Sequence, residues 1–571
     1  MQQEDGSGVG TKSLRALAFL ILGALMTSIV VALQRASGAY VAEIAATRAS
    51  EAGHVVTGLM MAEYFTKGFP PLPPLAFISD YALHFPAVVL GVWPPLYYVM
   101  EGAWVSVLGP TTPALLLLPA MLAALLMVSA GWAAGRVLGP LPGAAVSVAL
   151  LAVPLLREAT IVVGLDLPLA VFVLLAALAF SRFLASDGAR GAVPFALLAS
   201  AAILTKGTGI ALLLLPPLAL LLSGRLSLFR RRGFWLAYLI ILILAGPWTI
   251  GTFPLVSAAF PNSFGASFIA TAAQAYGADL VAGLGIALTM LALVGIIFAA
   301  MECWKRRPRA EIMGAMAAAF IACFIVLCLV PLSLEAGALL PLLAPAVMLA
   351  AFGLMRLVGL LVSGWPTIAG LVVALALLLG AMPGIIDPMS KPGNAMDEAS
   401  EAMLARHSGP FSVLVVGDAQ AEAAMVAAMA QQDQQLRTFV MPGSTVLAIA
   451  GRGPAAGAVL YPDASDLMAG LDRLSPTFIA LDAGAASRQG AVQAVVMKTL
   501  DAFPERFERI GTYPRGDGQG EAWLYVLKPA PAPAAEVPPQ VPSAPAAEQD
   551  VGPGAQDAPP APVPQAPSNQ P

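Results

Sequence analysis

The sequence predicts a polytopic α-helical membrane protein of about eleven spans, followed by an extracytoplasmic α/β domain and a disordered tail. Three observations carry this expectation. The 571 residues are 58% hydrophobic and 11% charged, with a mean hydropathy of +0.80, whereas soluble domains carry about 25% charged residues. Apolar runs of about 17 to 25 residues recur along the first two thirds of the chain. Charged residues and short β-rich runs return only from about residue 395. The net charge of −4 and pI of 5.5 exclude the basic footprint of nucleic-acid binding. Cys303, Cys323 and Cys328 fall in or beside apolar runs without paired spacing and read as small core residues.

The first apolar run, Leu14 to Leu33, follows Lys12 and Arg15. It is long for a signal-peptide core and has no clear small-residue cleavage site, so it reads as an uncleaved first span. Further spans are expected near 112–135, 141–157, 166–184, 193–205, 208–224, 234–252, 280–301, 311–330, 336–356 and 366–386. The segment "PPLYYVMEGAWVSVLG" from Pro94 is short, opens with two prolines and carries Glu101. Charge decides its placement. If it lies along the membrane surface, then Lys12, Arg15, Arg136, Arg182, Arg190, Arg225, Arg230–Arg232, Lys305–Arg307, Arg309 and Arg356 share one face, which the positive-inside rule makes cytoplasmic. If it crosses, that asymmetry collapses.

The expected organisation follows. Residues 1–13 are a cytoplasmic N-terminus, and 14–390 a transmembrane domain whose first outer loop covers 34–111, with outer loops also at 157–166 and 253–279. An odd number of spans leaves everything after Ile386 outside, which places the chain as a multi-pass inner (plasma) membrane protein with an extracytoplasmic C-terminal domain. In 395–529, "FSVLVVGD", "RTFVM", "GAVLY", "TFIALD" and "EAWLYVLK" read as strands; 419–432 and 489–503 read as helices. Together they make a small α/β domain with a mainly parallel sheet. "VVGDAQAE" lacks a full dinucleotide fingerprint, and docking or acceptor handling is the expected role. Residues 530–571, almost all Pro, Ala, Gln and Val, cannot bury enough apolar surface to fold.

The first outer loop concentrates the polar chemistry: Glu43, Glu51, His54, Glu63, Asp80, His84 and Glu101. In "SEAGHVVTGLMMAEYF", a helix would present Glu51 and His54 on one face. Asp166 begins a span with Pro168 in its first turn. That is sufficient for a helix cap, but an ionisable group at the membrane boundary is also a functional candidate. Lys206 interrupts "ILTKGTGIALLLLPP" and either snorkels to the interface or binds a lipid phosphate.

Taken together, these stretches resemble the polytopic GT-C glycosyltransferases of the protein-mannosyltransferase and aminoarabinose-transferase type (glycosyltransferase family 39-like), which use polyprenyl-phosphate sugars. "SEAGHVVTGLMMAEYF" is similar to that family's acidic first-loop motif, and "LHFPAVVLGVWPPLYYVMEGAW" to its helix rich in histidine and proline. "GLDLPLAVF" is similar to its second acidic motif, "ASAAILTKGTGIALLLLPP" to its lysine hairpin, and "GPWTIG" to a Pro-Trp signature. The five occur in the expected order over roughly residues 14–360. The resemblance implies sugar transfer from a lipid phosphate to an extracytoplasmic protein, lipid or polysaccharide acceptor. Glu51 would be the general base and Asp166 a second catalytic residue, with His54, His84, Tyr97, Lys206 and Glu335 binding substrate. No cofactor is fixed by the residues; a divalent metal on the carboxylates with His54 or His84 is left open, because the spacing is not diagnostic.

The chain departs from that pattern at three places. Ser50 stands where the family has the Asp that acts as base, Val92 where it often has His before the double proline, and Gly337 with Ala338 where Glu-x-Arg-Tyr is usual, although Glu335 survives. These losses fit either a shifted active site or a non-catalytic scaffold in envelope glycan assembly. A solute transporter would need two repeated halves with broken spans, and none is visible.

Overall fold

The computed structural model describes residues 6–67, 74–186, 191–362, 365–386, 389–449, 457–484 and 490–529. Met1–Lys528 forms one compact unit. The expected tail at 530–571 lies outside the described residues, as do the side chains of Lys12, Arg15 and Arg190.

Long apolar runs become helices because a backbone in hydrocarbon must satisfy its hydrogen bonds internally. In chain order they are α1 (Gly6–Ala36), α2 (Ser50–Thr66), α3 (Pro74–His84), α4 (Leu96–Leu108), α5 (Thr112–Leu138), α6 (Pro140–Ala152) and α7 (Pro154–Thr160). There follow α8 (Asp166–Ser186), α9 (Ala192–Thr205), α10 (Leu215–Leu222), α11 (Arg232–Ala258), α12 (Ala266–Trp304), α13 (Ala310–Leu329), α14 (Leu340–Leu361) and α15 (Pro366–Ile386). Among the described residues, seven helices are long and apolar enough to cross a membrane, or eight if the α6–α7 pair, bent by 68°, is one span. Three of the expected eleven spans, near 193–205, 208–224 and 366–386, fall on shorter apolar helices. The first two are shortened by the break at Lys206 between α9 and the 3₁₀ turn Gly207–Leu213.

The surface of the bundle suits a bilayer. Leu20 and Ile21 of α1, Leu242 and Ile243 of α11, and Leu371 and Leu379 of α15 all point outward. The segment from Pro94 forms the thirteen-residue α4, too short to cross, and it packs on α2. The basic loops also converge. Arg309 donates to the carbonyl of Arg136 at 2.5 Å, Arg225 pairs with Glu311 at 2.8 Å and Arg356 with Glu302 at 3.1 Å.

The C-terminal region opens with α16 (Met396–Arg406) and builds a five-stranded sheet from β1 (Phe411–Val416), β2 (Thr438–Pro442), β3 (Phe478–Asp482), β4 (Phe507–Pro514) and β5 (Glu521–Leu527). The order is β2-β1-β3-β5-β4. The first three strands are parallel, with Val413 opposite both Val440 and Phe478; β5 and β4 are antiparallel. The sheet is therefore mixed. "GAVLY" contributes only a bridge between Val459 and Ala448. The strand β4 escapes sequence reading because half of its residues, Glu508 and Arg509 among them, face solvent at the sheet edge.

The two regions are stitched through the residues before α16. Glu43 accepts the backbone N–H of Asn394 at 2.8 Å and of Met396 at 2.9 Å. The N–H of Lys391 donates to the carbonyl of Ser37 at 2.8 Å. The helix α17 (Ala419–Gln432) packs its buried alanines and methionines against α2.

Candidate active site

A cavity of about 110 Å³ opens between the start of α2, the loop before α4, the start of α8 and the chain leading into α14. Its polar lining is Arg48, Ser50, His54, Asp166, Lys206, Ser333 and Glu335, with Trp93 as an aromatic wall. Four of the residues singled out from sequence therefore meet here: His54, Asp166, Lys206 and Glu335.

Asp166 and Lys206 form the cavity's central contact. The helix α8 starts at Asp166, and its carboxylate is turned toward Lys206, with Nζ 2.6 Å from Oδ1. Lys206 terminates α9 in extended conformation, and Gly209 folds the chain back by donating its N–H to the Lys206 carbonyl at 2.8 Å. A β-carbon at 209 would lie 2.6 Å from the backbone of Ala202, so only glycine permits that return. The ammonium also sits 5.5 Å from the centre of the Trp93 ring, a cation–π contact. With side chains 25% and 11% exposed, the Asp166–Lys206 pair is shielded but open to the cavity.

His54 borders the same space. Its Nδ1 lies 2.9 Å from the Tyr98 hydroxyl, and its ring meets Trp93 edge-on at 6.2 Å. Burial first, then the charge of Lys206, pushes the imidazole down to about 3, so His54 is neutral at physiological pH. Glu335 lies at the mouth, exposed, and accepts a hydrogen bond from Ser333 Oγ at 2.9 Å.

Glu51 is placed differently from the sequence expectation. The helix α2 forms over the expected stretch, yet Glu51 does not line the cavity with His54. It is completely buried, paired at 3.1 Å with Lys391, which is also completely buried. Oε2 accepts the N–H of Ala45 at 2.9 Å and Oε1 that of Val163 at 2.8 Å, while Lys391 also donates to the Ile161 carbonyl at 3.0 Å. A carboxylate held by two amides and an ammonium is a fastener between the first loop, the 161–163 segment and the linker to the C-terminal domain. In this arrangement its oxygens face these partners and not the cavity.

Two further candidates also sit elsewhere. His84 ends α3, bonds the Asp80 carbonyl through Nδ1 at 2.9 Å and stacks on Phe439 of β2 at 4.1 Å, so it packs against the C-terminal sheet. Tyr97 is 1% exposed in the α2–α4 core, beside Tyr98. Glu101 is buried against Gly58 with neither oxygen hydrogen-bonded, and burial followed by the Glu51 charge raises its carboxyl well above the usual range. Among the described residues, no three His, Cys, Asp or Glu side chains converge as a metal group.

Sequence reading missed Arg48. It lines the cavity and pairs with Glu158 at 2.5 Å. Its position two residues before the acidic motif was the available signal, hidden because an arginine beside a membrane boundary reads first as an interfacial charge.

Comparison with known proteins agrees with this architecture. Residues 93–250 match the dolichyl-phosphate-mannose-protein mannosyltransferase family. The stretch holds Trp93, Asp166 and Lys206. No curated protein sequence matches the chain. The fold resembles ArnT from Cupriavidus metallidurans bound to undecaprenyl phosphate, at 16% identity and a TM-score of 0.50 over 89% of this chain and 98% of that one. It also resembles the apo oligosaccharyltransferase of Archaeoglobus fulgidus, at 14% identity and a TM-score of 0.52 over 87% of this chain and 73% of that one. At such identities the likeness speaks for the fold. The chain is thus a multi-pass membrane protein whose residues 93–250 match the dolichyl-phosphate-mannose-protein mannosyltransferase family and whose fold resembles those of ArnT and the archaeal oligosaccharyltransferase.

Proposed function

We propose that the protein transfers a sugar from a polyprenyl-phosphate donor to an acceptor hydroxyl or amine on the extracytoplasmic side of a bacterial-type inner membrane. The observation that carries this reading is the Asp166–Lys206 pair, 2.6 Å apart and open to a cavity also lined by His54 and Trp93. The reaction needs a proton acceptor for the attacking group and positive charge for the departing phosphate. Both stand side by side here.

In the proposed reaction the acceptor oxygen or nitrogen attacks the anomeric carbon and forms the new glycosidic bond. The bond between that carbon and the phosphate oxygen breaks, its electron pair leaving with polyprenyl phosphate. The acceptor proton goes to the Asp166 carboxylate, and Lys206 neutralises charge growing on the phosphate. His54, neutral and anchored by Tyr98, offers hydrogen bonds to sugar hydroxyls without adding charge. Glu335 at the mouth suits the acceptor side. Glu51 and Lys391 hold the loop that carries these groups and do not touch the reactants.

The test is transfer of radiolabelled sugar from a panel of polyprenyl-phosphate sugars by the full chain in proteoliposomes, beside an Asp166→Asn variant. Turnover by the parent and its loss in the variant support an enzyme built on Asp166. A parent that binds polyprenyl phosphate but turns over no donor with any acceptor supports the non-catalytic scaffold instead.

A further inference from the structure

Arg48 and Gly337, remote in sequence, share one volume of the cavity wall. A β-carbon at 337 would lie 3.1 Å from Nη1 of Arg48 and 3.5 Å from Oδ2 of Asp166. The guanidinium therefore fills the room that a side chain at 337 would take. Nη2 of the same group is fixed by Glu158 at 2.5 Å. That pair, 31% and 40% exposed, faces water, whereas Nη1 lies beside Gly337. Lys206 thus holds Oδ1 of Asp166, while Oδ2 and the Arg48 guanidinium approach the same point beside Gly337. Among the described residues, no other arginine or lysine lines the cavity.

We propose that Arg48 is the second cation of the donor-phosphate subsite, acting with Lys206, and that position 337 lacks a side chain so that the guanidinium can stand there. The inference rests on the transfer reaction proposed above and names where its phosphate is held. A phosphate offers several oxygens at fixed angles. A guanidinium fork binds two of them in its plane, while an ammonium binds as a point charge from another direction. Glu158 already holds one edge of the fork, so less side-chain freedom is lost when the phosphate arrives. As the anomeric carbon–oxygen bond breaks, the growing charge on the phosphate falls between two cations, with the Asp166 base beside them.

The experiment measures binding of undecaprenyl phosphate, undecaprenol and inorganic phosphate to the purified full chain in nanodiscs. The proteins are the parent, Arg48→Ala, Arg48→Lys, Gly337→Leu, and Arg48→Ala combined with Gly337→Arg. Arg48→Ala is expected to weaken undecaprenyl phosphate binding by about 10- to 100-fold, the range for a lost charge-assisted contact. Undecaprenol binding should stay as in the parent, which separates loss of a phosphate contact from loss of fold. Arg48→Lys should retain part of the affinity, and Gly337→Leu should mimic Arg48→Ala by displacing the guanidinium. The combined variant should recover affinity, because an arginine side chain then enters the same volume from the other wall. Tight binding of inorganic phosphate alone would reassign the subsite to a soluble anion and overturn the lipid-donor assignment. Undecaprenyl phosphate binding unchanged in Arg48→Ala would overturn the role of Arg48 while leaving the transfer reading intact. A parent that binds neither lipid would sink the transfer reading itself.

Discussion

The molecule contains two pairs of the same chemistry, a carboxylate with a lysine, in two different settings. Glu51–Lys391 is wholly buried, and its remaining hydrogen-bonding capacity goes to Ala45, Val163 and Ile161. Asp166–Lys206 is shielded yet opens into a cavity beside Trp93, His54 and Arg48. In the first pair every lone pair and proton is already committed to the protein. In the second, groups remain free to meet a substrate. Residue type does not distinguish the two settings; exposure and the count of unused donors and acceptors do, and on them rests the proposal that Asp166–Lys206 is the reactive pair.

Breaking each pair should therefore break a different thing. Asp166→Asn is expected to lower sugar transfer at least about 100-fold, the lower range for a positioned acid or base, while thermal melting of the protein stays near that of the parent. Lys391→Met should do the reverse. It leaves the Glu51 carboxylate buried without its cation, at a cost of about 3–5 kcal/mol, read as a large fall in melting temperature. Activity per folded molecule should survive.

A smaller effect sharpens the comparison at the linker itself. Burial first, then the charges of Glu43, Glu398 and Glu401, raises the Asp397 carboxyl to about 7, against the opposing influence of Lys391. Between pH 4 and 7 the folded state thus holds a proton that the unfolded chain releases. Stability from this group is fullest below about pH 4 and is lost as pH rises through 7. Asp397→Asn should flatten that slope and stabilise the protein at pH 8 by about 1–3 kcal/mol after allowance for solvent screening, measured by melting across pH. A steeper slope in the variant would contradict the assignment. The smallest expected effect is His84→Ala, which removes stacking on Phe439 worth about 1 kcal/mol and should leave transfer unchanged.

The legible parts of this protein were those written in local pattern. Apolar runs gave most of the bundle, and the proline-led segment from Pro94, expected to be short, forms a thirteen-residue helix. Asp166 and Lys206 stood out because charge interrupts apolar sequence there, and the structure joins them. The partner of Glu51 could not be read. Lys391 lies 340 residues away in a Lys-Pro-Gly linker, and nothing local marks it as buried. His54 and Glu51 share the first turn of α2 but face different surroundings, because helical spacing fixes direction and not what lies opposite. Gly337 read as a loss, since the guanidinium beside it comes from Arg48 far upstream. Long-range pairing and side-chain volume are the properties that a single sequence does not display.

The most direct measurement is sugar transfer and thermal melting, made together, on Asp166→Asn and on the double variant Glu51→Gln with Lys391→Met. The double variant removes both buried charges, and the glutamine amide keeps a carbonyl acceptor for one of the two N–H groups, of Ala45 and Val163, that the carboxylate accepts. The expected result is a folded Asp166→Asn protein with transfer reduced at least about 100-fold and a double variant that still transfers sugar. Loss of transfer in a fully folded double variant, with Asp166→Asn still active, would contradict the account and return the base to Glu51.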